Sequence, residues 1–248
     1  MVDGARRTAI VTGAARGIGF EVAKALATEG MQLVLLDCLS EVRSAAEELG
    51  AEGFVLDVAS ESEVGRTVAE IAERRGSIDI LVNNAGITVK RDGLRVPTEE
   101  CSLGDWNKVL SVNLTGPFLM CRACIPHMKR RGWGRIVNLA SQAGRTGSQF
   151  SGSGYAASKA GLIGFSRILA GELGELGITV NCVAPGRIRT PMNALGGEAI
   201  NTTFAKAVPL RRVGSPEEVA SAVAFLASDG GGYITGAVID VNGGAFMG

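Results

Sequence analysis

Histidine occurs once in the 248 residues, as His127, and that scarcity excludes a good deal of chemistry. A Ser-His-Asp hydrolase would have to use it, and no Gly-x-Ser-x-Gly surrounds a serine. His127 lies in Ile125-Pro-His-Met-Lys-Arg-Arg131, which reads as a helix end and suits a solvated or capping imidazole. Cysteine is sparse and odd in number, at five, which argues against a disulfide framework and for a reducing cytoplasm. Cys121-x-x-Cys124 sits in an apolar helical run with no second pair or histidine cluster, so no metal is expected. Charge of one sign is lacking too: 25 basic and 25 acidic residues leave a net charge of +0, and nothing favours nucleic acid or an acidic membrane surface. No apolar run approaches the roughly 18 residues of a membrane span. The opening Met1-Val-Asp-Gly-Ala-Arg-Arg has no leader-type apolar core, which leads to the same cytoplasmic expectation.

Glycine, by contrast, is abundant: 35 residues against 7 prolines, a ratio that suggests many tight strand-to-helix turns. The apolar pattern alternates accordingly. Strands are expected at Arg7–Thr12, Gln32–Asp37, Gly53–Val58, Ser77–Asn83, Arg135–Ala140, Gly177–Val183 and Gly236–Val241. Helices are expected from Phe20, at Ser40–Leu49, at Glu61–Arg75, at Trp106–Arg131 with local bends at Pro117 and Pro126, from Tyr155 to about Glu175, and from the capping pattern Ser215-Pro-Glu-Glu. Residues 88–105 and 190–213 read as irregular excursions. Strands alternating with helices imply an α/β chain: one domain, 1–248, with a Rossmann-type doubly wound parallel sheet of about seven strands and helices on both faces.

Three stretches carry chemistry. Thr12-Gly13-Ala-Ala-Arg16-Gly17-Ile18-Gly19 breaks a strand into a helix, where glycines let the backbone approach a pyrophosphate and the helix start offers free amides. Asp37 closes the next strand about 20 residues later, where a ribose-binding acid belongs, although a turn acid is the plain alternative. Tyr155-Ala-Ala-Ser-Lys159 puts a phenol and an ammonium one helical turn apart, and the cation is expected to favour the ionised phenol. Ser141, at the end of its strand, can hold a carbonyl or alcohol oxygen.

The ordered set of the Gly-rich turn, Asn83-Asn84-Ala85-Gly86, Asn113, Ser141, Tyr155-x-x-x-Lys159, Pro185-Gly186 and Asp240-Val-Asn-Gly-Gly244 resembles the short-chain dehydrogenase/reductases along the whole chain. The branch it looks most like is that of the 3-oxoacyl-(acyl-carrier-protein) reductases and their alcohol dehydrogenase relatives. The resemblance implies hydride transfer with NAD(P). Tyr155 would be the acid/base, and Lys159 would lower its pKa and hold the nicotinamide ribose. Ser141 would orient the substrate oxygen, and Asn113 would anchor a water relay to Lys159. Gly13, Arg16, Gly17, Ile18 and Gly19 would line the cofactor. Asp57 and Val58 would meet the adenine, and Asn84, Ala85 and Gly86 the adenosine side. Pro185 and Gly186 would border the cofactor, with Ile188 and Thr190 at the carboxamide.

Two departures from that branch matter. Its fatty-acid reductases usually take NADP(H), whereas the Asp37 carboxylate accepts bonds from a ribose diol and repels a 2′-phosphate, so NAD is the expected cofactor despite Arg16. The basic residue that helps dock an acidic carrier protein is replaced by Leu176 after Glu175, leaving Arg130 and Arg131. The spacing from Ser141 to Tyr155 is also about one residue long. The reading is therefore an NAD-dependent dehydrogenase of a secondary alcohol or its ketone. The alternatives are a 3-oxoacyl-thioester reductase or a catalytically silent dinucleotide sensor. Gln142, Arg145, Gln149, Ser151, Arg187 and Met192 are expected around the substrate, with Arg145 or Arg187 able to pair with a carboxylate or simply to face water. The apolar faces of Trp106–Arg131 and Tyr155–Glu175 lead to the expectation of a homotetramer.

Overall fold

The computed structural model describes residues 6–91, 93–147, 150–190 and 197–248. Seven strands form one parallel sheet in the order β3-β2-β1-β4-β7-β8-β9. They are β1 Thr8–Thr12, β2 Gln32–Asp37, β3 Glu52–Val55, β4 Ile80–Asn83, β7 Gly134–Leu139, β8 Ile178–Pro185 and β9 Val238–Val241. The chain runs outward from β1 through β2 to β3, then returns to the other side of β1 as β4. A crevice opens at that reversal, beyond the carboxyl ends of β1 and β4.

Side chains alternate across the pleat, and the core divides accordingly. Val11, Leu33, Leu35, Val82 and Val137 pack with α1 (Gly17–Thr28) and with α8 (Pro216–Ala227). Ile10, Val34, Leu36, Leu81, Ile136 and Val180 pack on the opposite face with α3 (Glu61–Arg75), α5 (Gly116–Arg131) and α6 (Ser153–Leu173). A buried Leu or Ile contributes roughly 1.5–3 kcal/mol relative to exposure, so both layers hold the sheet flat-sided and covered. The remaining helices are α2 (Val42–Glu48), α4 (Leu103–Leu110) and α7 (Gly197–Ala207).

Several expectations are corrected. Residues 88–105 are not wholly irregular: β5 (Lys90–Arg91) and β6 (Leu94–Arg95) pair antiparallel. Residues 190–213 include α7, because Glu198, Ala199, Ala205 and Ala207 support a helix that Gly197 and the Asn201-Thr-Thr run obscured. The helix expected at Trp106–Arg131 begins at Leu103 and changes to a π turn at Ser111–Thr115. Pro117 explains the widening: it has no N–H for the Asn113 carbonyl four residues back, and its ring crowds that carbonyl. Pro126 is accommodated inside α5, which ends at a left-handed Gly132. The segment Leu103–Arg131 does reach a membrane-like mean hydropathy of 1.3, contrary to the sequence reading. Its apolar side chains are core residues, since Met120, Cys124 and Met128 are fully enclosed.

Candidate active site

The Gly-rich turn is welded to the loop after β4. Thr12 Oγ1 accepts the amides of Asn84 (3.0 Å) and Ala85 (3.1 Å), and Asn84 Nδ2 donates to the carbonyls of Thr12 (3.0 Å) and Gly13 (2.9 Å). Glycine is required here by contact: a Cβ on Gly13 would lie 2.7 Å from Ala85 Cα, and one on Gly19 would lie 2.2 Å from the Gly13 carbonyl oxygen. Asn84 is thus a strut between two loops. Gly13 and Gly17 have φ of 64° and 63°. The start of α1 has no side-chain cap and no acid in its first turn, so its amides face the crevice.

Asp37 stands at the carboxyl end of β2. Its Oδ2 accepts the Ala15 amide at 3.0 Å and its Oδ1 the Leu39 amide at 3.1 Å. Arg16 is exposed beside this turn. Asp57 and Val58 lie past the end of β3. Asp57 Oδ1 accepts the Ala59 amide (2.9 Å) in the turn entering α3, and Val58 is buried. On the other rim, the Gly186 amide donates to Val241 O at 3.0 Å, and a Cβ there would meet Asn242 Cα at 2.9 Å. Pro185 and Ile188 are buried, whereas Thr190 is partly exposed. Uncapped amides, close-packed glycines and a strand-end carboxylate fit a dinucleotide at this crevice.

Four side chains converge beside it. Ser141 follows β7 in an extended conformation, accepts the Ala143 amide at 3.1 Å and hydrogen-bonds the Tyr155 phenol. Lys159, buried, donates to Leu139 O at 2.6 Å, with its ammonium 5.8 Å from the Tyr155 ring centroid. A Cβ placed on Gly86 would come within 3.4 Å of Lys159 Nζ and 3.5 Å of Asn113 Oδ1, so these groups face the same space. Asn113 is fully buried in the π turn. Its amide clamps Ile87, accepting from the backbone N–H (2.8 Å) and donating to the carbonyl (2.9 Å), and also donates to Ser158 Oγ (3.1 Å). The Asn113 side chain is therefore fully used in holding loops, and only its main-chain carbonyl is left to serve a water.

The electrostatics correct one expectation. Burial pushes the Tyr155 phenol above its ordinary range, with the Ser141 hydrogen bond working against it. Burial also lowers Lys159 to about 8. The ammonium turns onto Leu139 O rather than onto the phenol, so in this state it does not acidify Tyr155.

Other residues fall outside the site or support it. Arg145 is not a substrate-facing cation: it forms an ion pair with Asp240, donates to Gly248 O at 2.9 Å and covers the Phe246 ring. Gln142 is half-buried in the turn after Ser141, Ser151 lies ahead of α6, and Gln149 and Met192 lie outside the described residues. The sequence reading missed Ser158, which donates to the Tyr155 carbonyl at 2.7 Å while receiving Asn113. Its signal was its place in the turn between Tyr155 and Lys159. A buried bridge was missed as well. Asn83 donates to Asn138 (2.8 Å), Asn138 to Ser166 (2.8 Å), and Cys182 to Ser166 (3.1 Å), tying β4, β7 and β8 to α6. Burial pushes the Cys121 thiol up to about 12 and raises Cys124 as well, so both stay protonated.

A doubly wound parallel sheet whose switch-point crevice holds these four side chains defines a dinucleotide-dependent oxidoreductase class, and the chain belongs to the short-chain dehydrogenase/reductase family. The family model described as "Enoyl-(Acyl carrier protein) reductase" matches residues 13–245. The chain is 43% identical over 247 residues to a 3-oxoacyl-[acyl-carrier-protein] reductase of Aquifex aeolicus, covering 97% of each. It is 41% identical over 250 residues to an acetoacetyl-CoA reductase of Allochromatium vinosum, covering 97% of this chain and 99% of that one. The crystal structure of a 3-oxoacyl-[acyl-carrier protein] reductase with bound NAD from Brucella melitensis superposes with a TM-score of 0.90 at 37% identity, covering 99% of this chain and 93% of that one.

Proposed function

We propose that the chain transfers a hydride between a nicotinamide dinucleotide and a secondary alcohol or its ketone, with Tyr155 exchanging the proton at the substrate oxygen. The observation that carries this reading is the Tyr155 phenol bonded to Ser141, with Lys159 buried behind it. Gly13, Gly17, Ile18, Gly19, Ala85, Gly86, Pro185, Gly186, Ile188 and Thr190 would hold the cofactor, which supplies or takes the hydride when bound. Ser141 orients the substrate oxygen toward Tyr155. In reduction the protonated phenol gives its proton to that oxygen, and in oxidation the phenolate accepts it. Lys159 then restores the phenol's proton, aided by water at the Asn113 carbonyl.

NAD is the proposed cofactor. Asp37 at the ribose position disfavours a 2′-phosphate, and the Brucella melitensis relative bound to NAD supports the choice. Absorbance at the reduced-nicotinamide band, with NAD⁺ or NADP⁺ and an alcohol panel, tests both parts. No turnover with either cofactor would leave a dinucleotide sensor as the surviving reading. The second reading, a 3-oxoacyl-thioester reductase, is favoured by the names of the relatives. Against it, Leu176 replaces a docking cation and Arg131 turns to the buried carboxylate of Asp79 at 3.4 Å. Turnover of acetoacetyl-CoA compared with simple ketones separates the two.

We also propose a homotetramer in the cytoplasm. Phe118 on α5 meets Phe165 on α6 edge-on at 6.1 Å, and Phe118 and Ile168 are 43% and 63% exposed. Pairing this face about a twofold axis would cover it. Light scattering should give four protomers, and Phe118→Glu with Ile168→Glu should give a smaller species. A monomeric wild type would reject the assembly.

A further inference from the structure

Arg187 follows Pro185-Gly186 at the carboxyl end of the sheet, and little of it reaches solvent, with 9% exposure. Its Nε donates to Asn201 Oδ1 of α7 at 2.6 Å, and its guanidinium lies 5.9 Å from the Phe150 ring centroid. An amide and an aromatic ring orient a guanidinium without neutralising it. Lys90, half-buried on β5, comes from the other side. Its neighbours Thr88 and Val89 share a small cleft with Gly152, Ser153 and Tyr155, while Phe150 lies just ahead of that same loop. The excursion after β4, the loop before α6 and the exit from β8 thus bring two cations to the mouth beside Tyr155. Lys90 is pushed below the ordinary lysine range by burial and then by Arg187, so the two charges sense each other. Two like charges desolvated at one mouth are costly unless an anion joins them. Arg145, the other arginine that could have served, is held by Asp240.

We propose that Arg187 and Lys90 form an anion-binding corner of the substrate site, and that the substrate is a small oxo or hydroxy acid with a free carboxylate. This deepens the hydride-transfer reading and rests on it. It also sets the chain apart from its thioester-reducing relatives, whose substrates are uncharged beside the reacting ketone.

The test uses the full chain with NADH and matched pairs of substrates: acetoacetate against methyl acetoacetate, and 2-oxobutyrate against its methyl ester. The acid of at least one pair should be preferred in kcat/KM by at least about tenfold, the scale of a charge-assisted pair. Arg187→Leu should erase most of that preference while changing ester turnover little, and Arg187→Lys should recover part of it. Lys90→Met should weaken the preference less. A parallel readout needs no turnover: at constant ionic strength, malonate should raise the melting temperature of wild type but not of Arg187→Leu. Carboxylate binding that depends on Arg187 without reduction of any ketone would uphold the corner and overturn hydride transfer to these ketones. Esters reduced as well as acids, with no malonate effect, would overturn the corner and leave hydride transfer intact. Loss of acid and ester turnover alike in Arg187→Leu, with malonate binding kept, would make Arg187 structural and also overturn it.

Discussion

Asp37 Oδ2 accepts the backbone N–H of Ala15 at 3.0 Å, so the carboxylate expected to choose the cofactor also braces the turn that would carry its pyrophosphate. Oδ1 meanwhile holds Leu39. Selection and bracing are separable because an amide side chain keeps an acceptor oxygen but loses the charge.

Asp37→Asn should therefore lower the preference for NADH over NADPH by roughly tenfold, the scale of one charge pair near a surface. Asp37→Ala should in addition weaken both cofactors, because Ala15 and Leu39 lose their acceptor. Fluorescence titration with each reduced cofactor checks this. A ratio unchanged in both variants would leave Asp37 as a brace alone.

Tyr155→Phe should cost ~10²–10⁴-fold in turnover with cofactor affinity nearly kept. Ser141→Ala should cost roughly 10²-fold by misplacing the substrate oxygen. Because burial raises the Tyr155 pKa, the phenol is protonated at neutral pH and ready to donate. Ketone reduction should then be level across neutral pH, while alcohol oxidation, which needs the phenolate, should still climb at alkaline pH. Oxidation already level at neutral pH would mean that the bound cofactor restores the acidifying contact with Lys159.

Lys159 is a source of instability. Its pKa falls from 10.5 to about 8 on folding, so the unfolded chain binds this proton more tightly. The cost is full below pH 8 and disappears as pH rises from about 8 to 10.5. Lys159→Met should destroy activity yet stabilise the cofactor-free protein at pH 7, by up to about 3 kcal/mol. That gap should close near pH 10.5. Urea unfolding at both pH values measures it. A variant less stable than wild type at pH 7 would show that the Lys159 stem contributes more packing than its charge costs.

The Arg145–Asp240 pair ties the turn after Ser141 to β9 and, through Gly248 O, to the chain end. Asp240 Oδ1 is buried without a partner, which raises its dependence on Arg145. Arg145→Met should destabilise by roughly 1–3 kcal/mol by leaving a partly buried carboxylate unpaired. Arg145→Met with Asp240→Asn should recover part of that in a double-mutant cycle. Additive losses would show that the two side chains are not coupled.

Local rules determined much of this protein. Period-two apolar runs specified the buried strands, glycine marked the turns that need positive φ or close approach, and a four-residue interval placed Tyr155 and Lys159 on one helical face. Those signals depend on neighbours within a turn or a pleat and are visible in any stretch of chain. They failed where two local tendencies competed, as in α7, whose glycine and threonines read as loop. Tertiary structure alone decided which groups meet. Asn113 finds Ile87, 26 residues away, Arg145 finds Asp240 across 95, and Asp37 turns back 22 to Ala15. Lys159 likewise chooses the Leu139 carbonyl over the phenol beside it. These choices follow from burial: once the layers close, each enclosed polar group must take whichever partner the packing brings within reach, because an unmade bond there costs more than any local preference supplies.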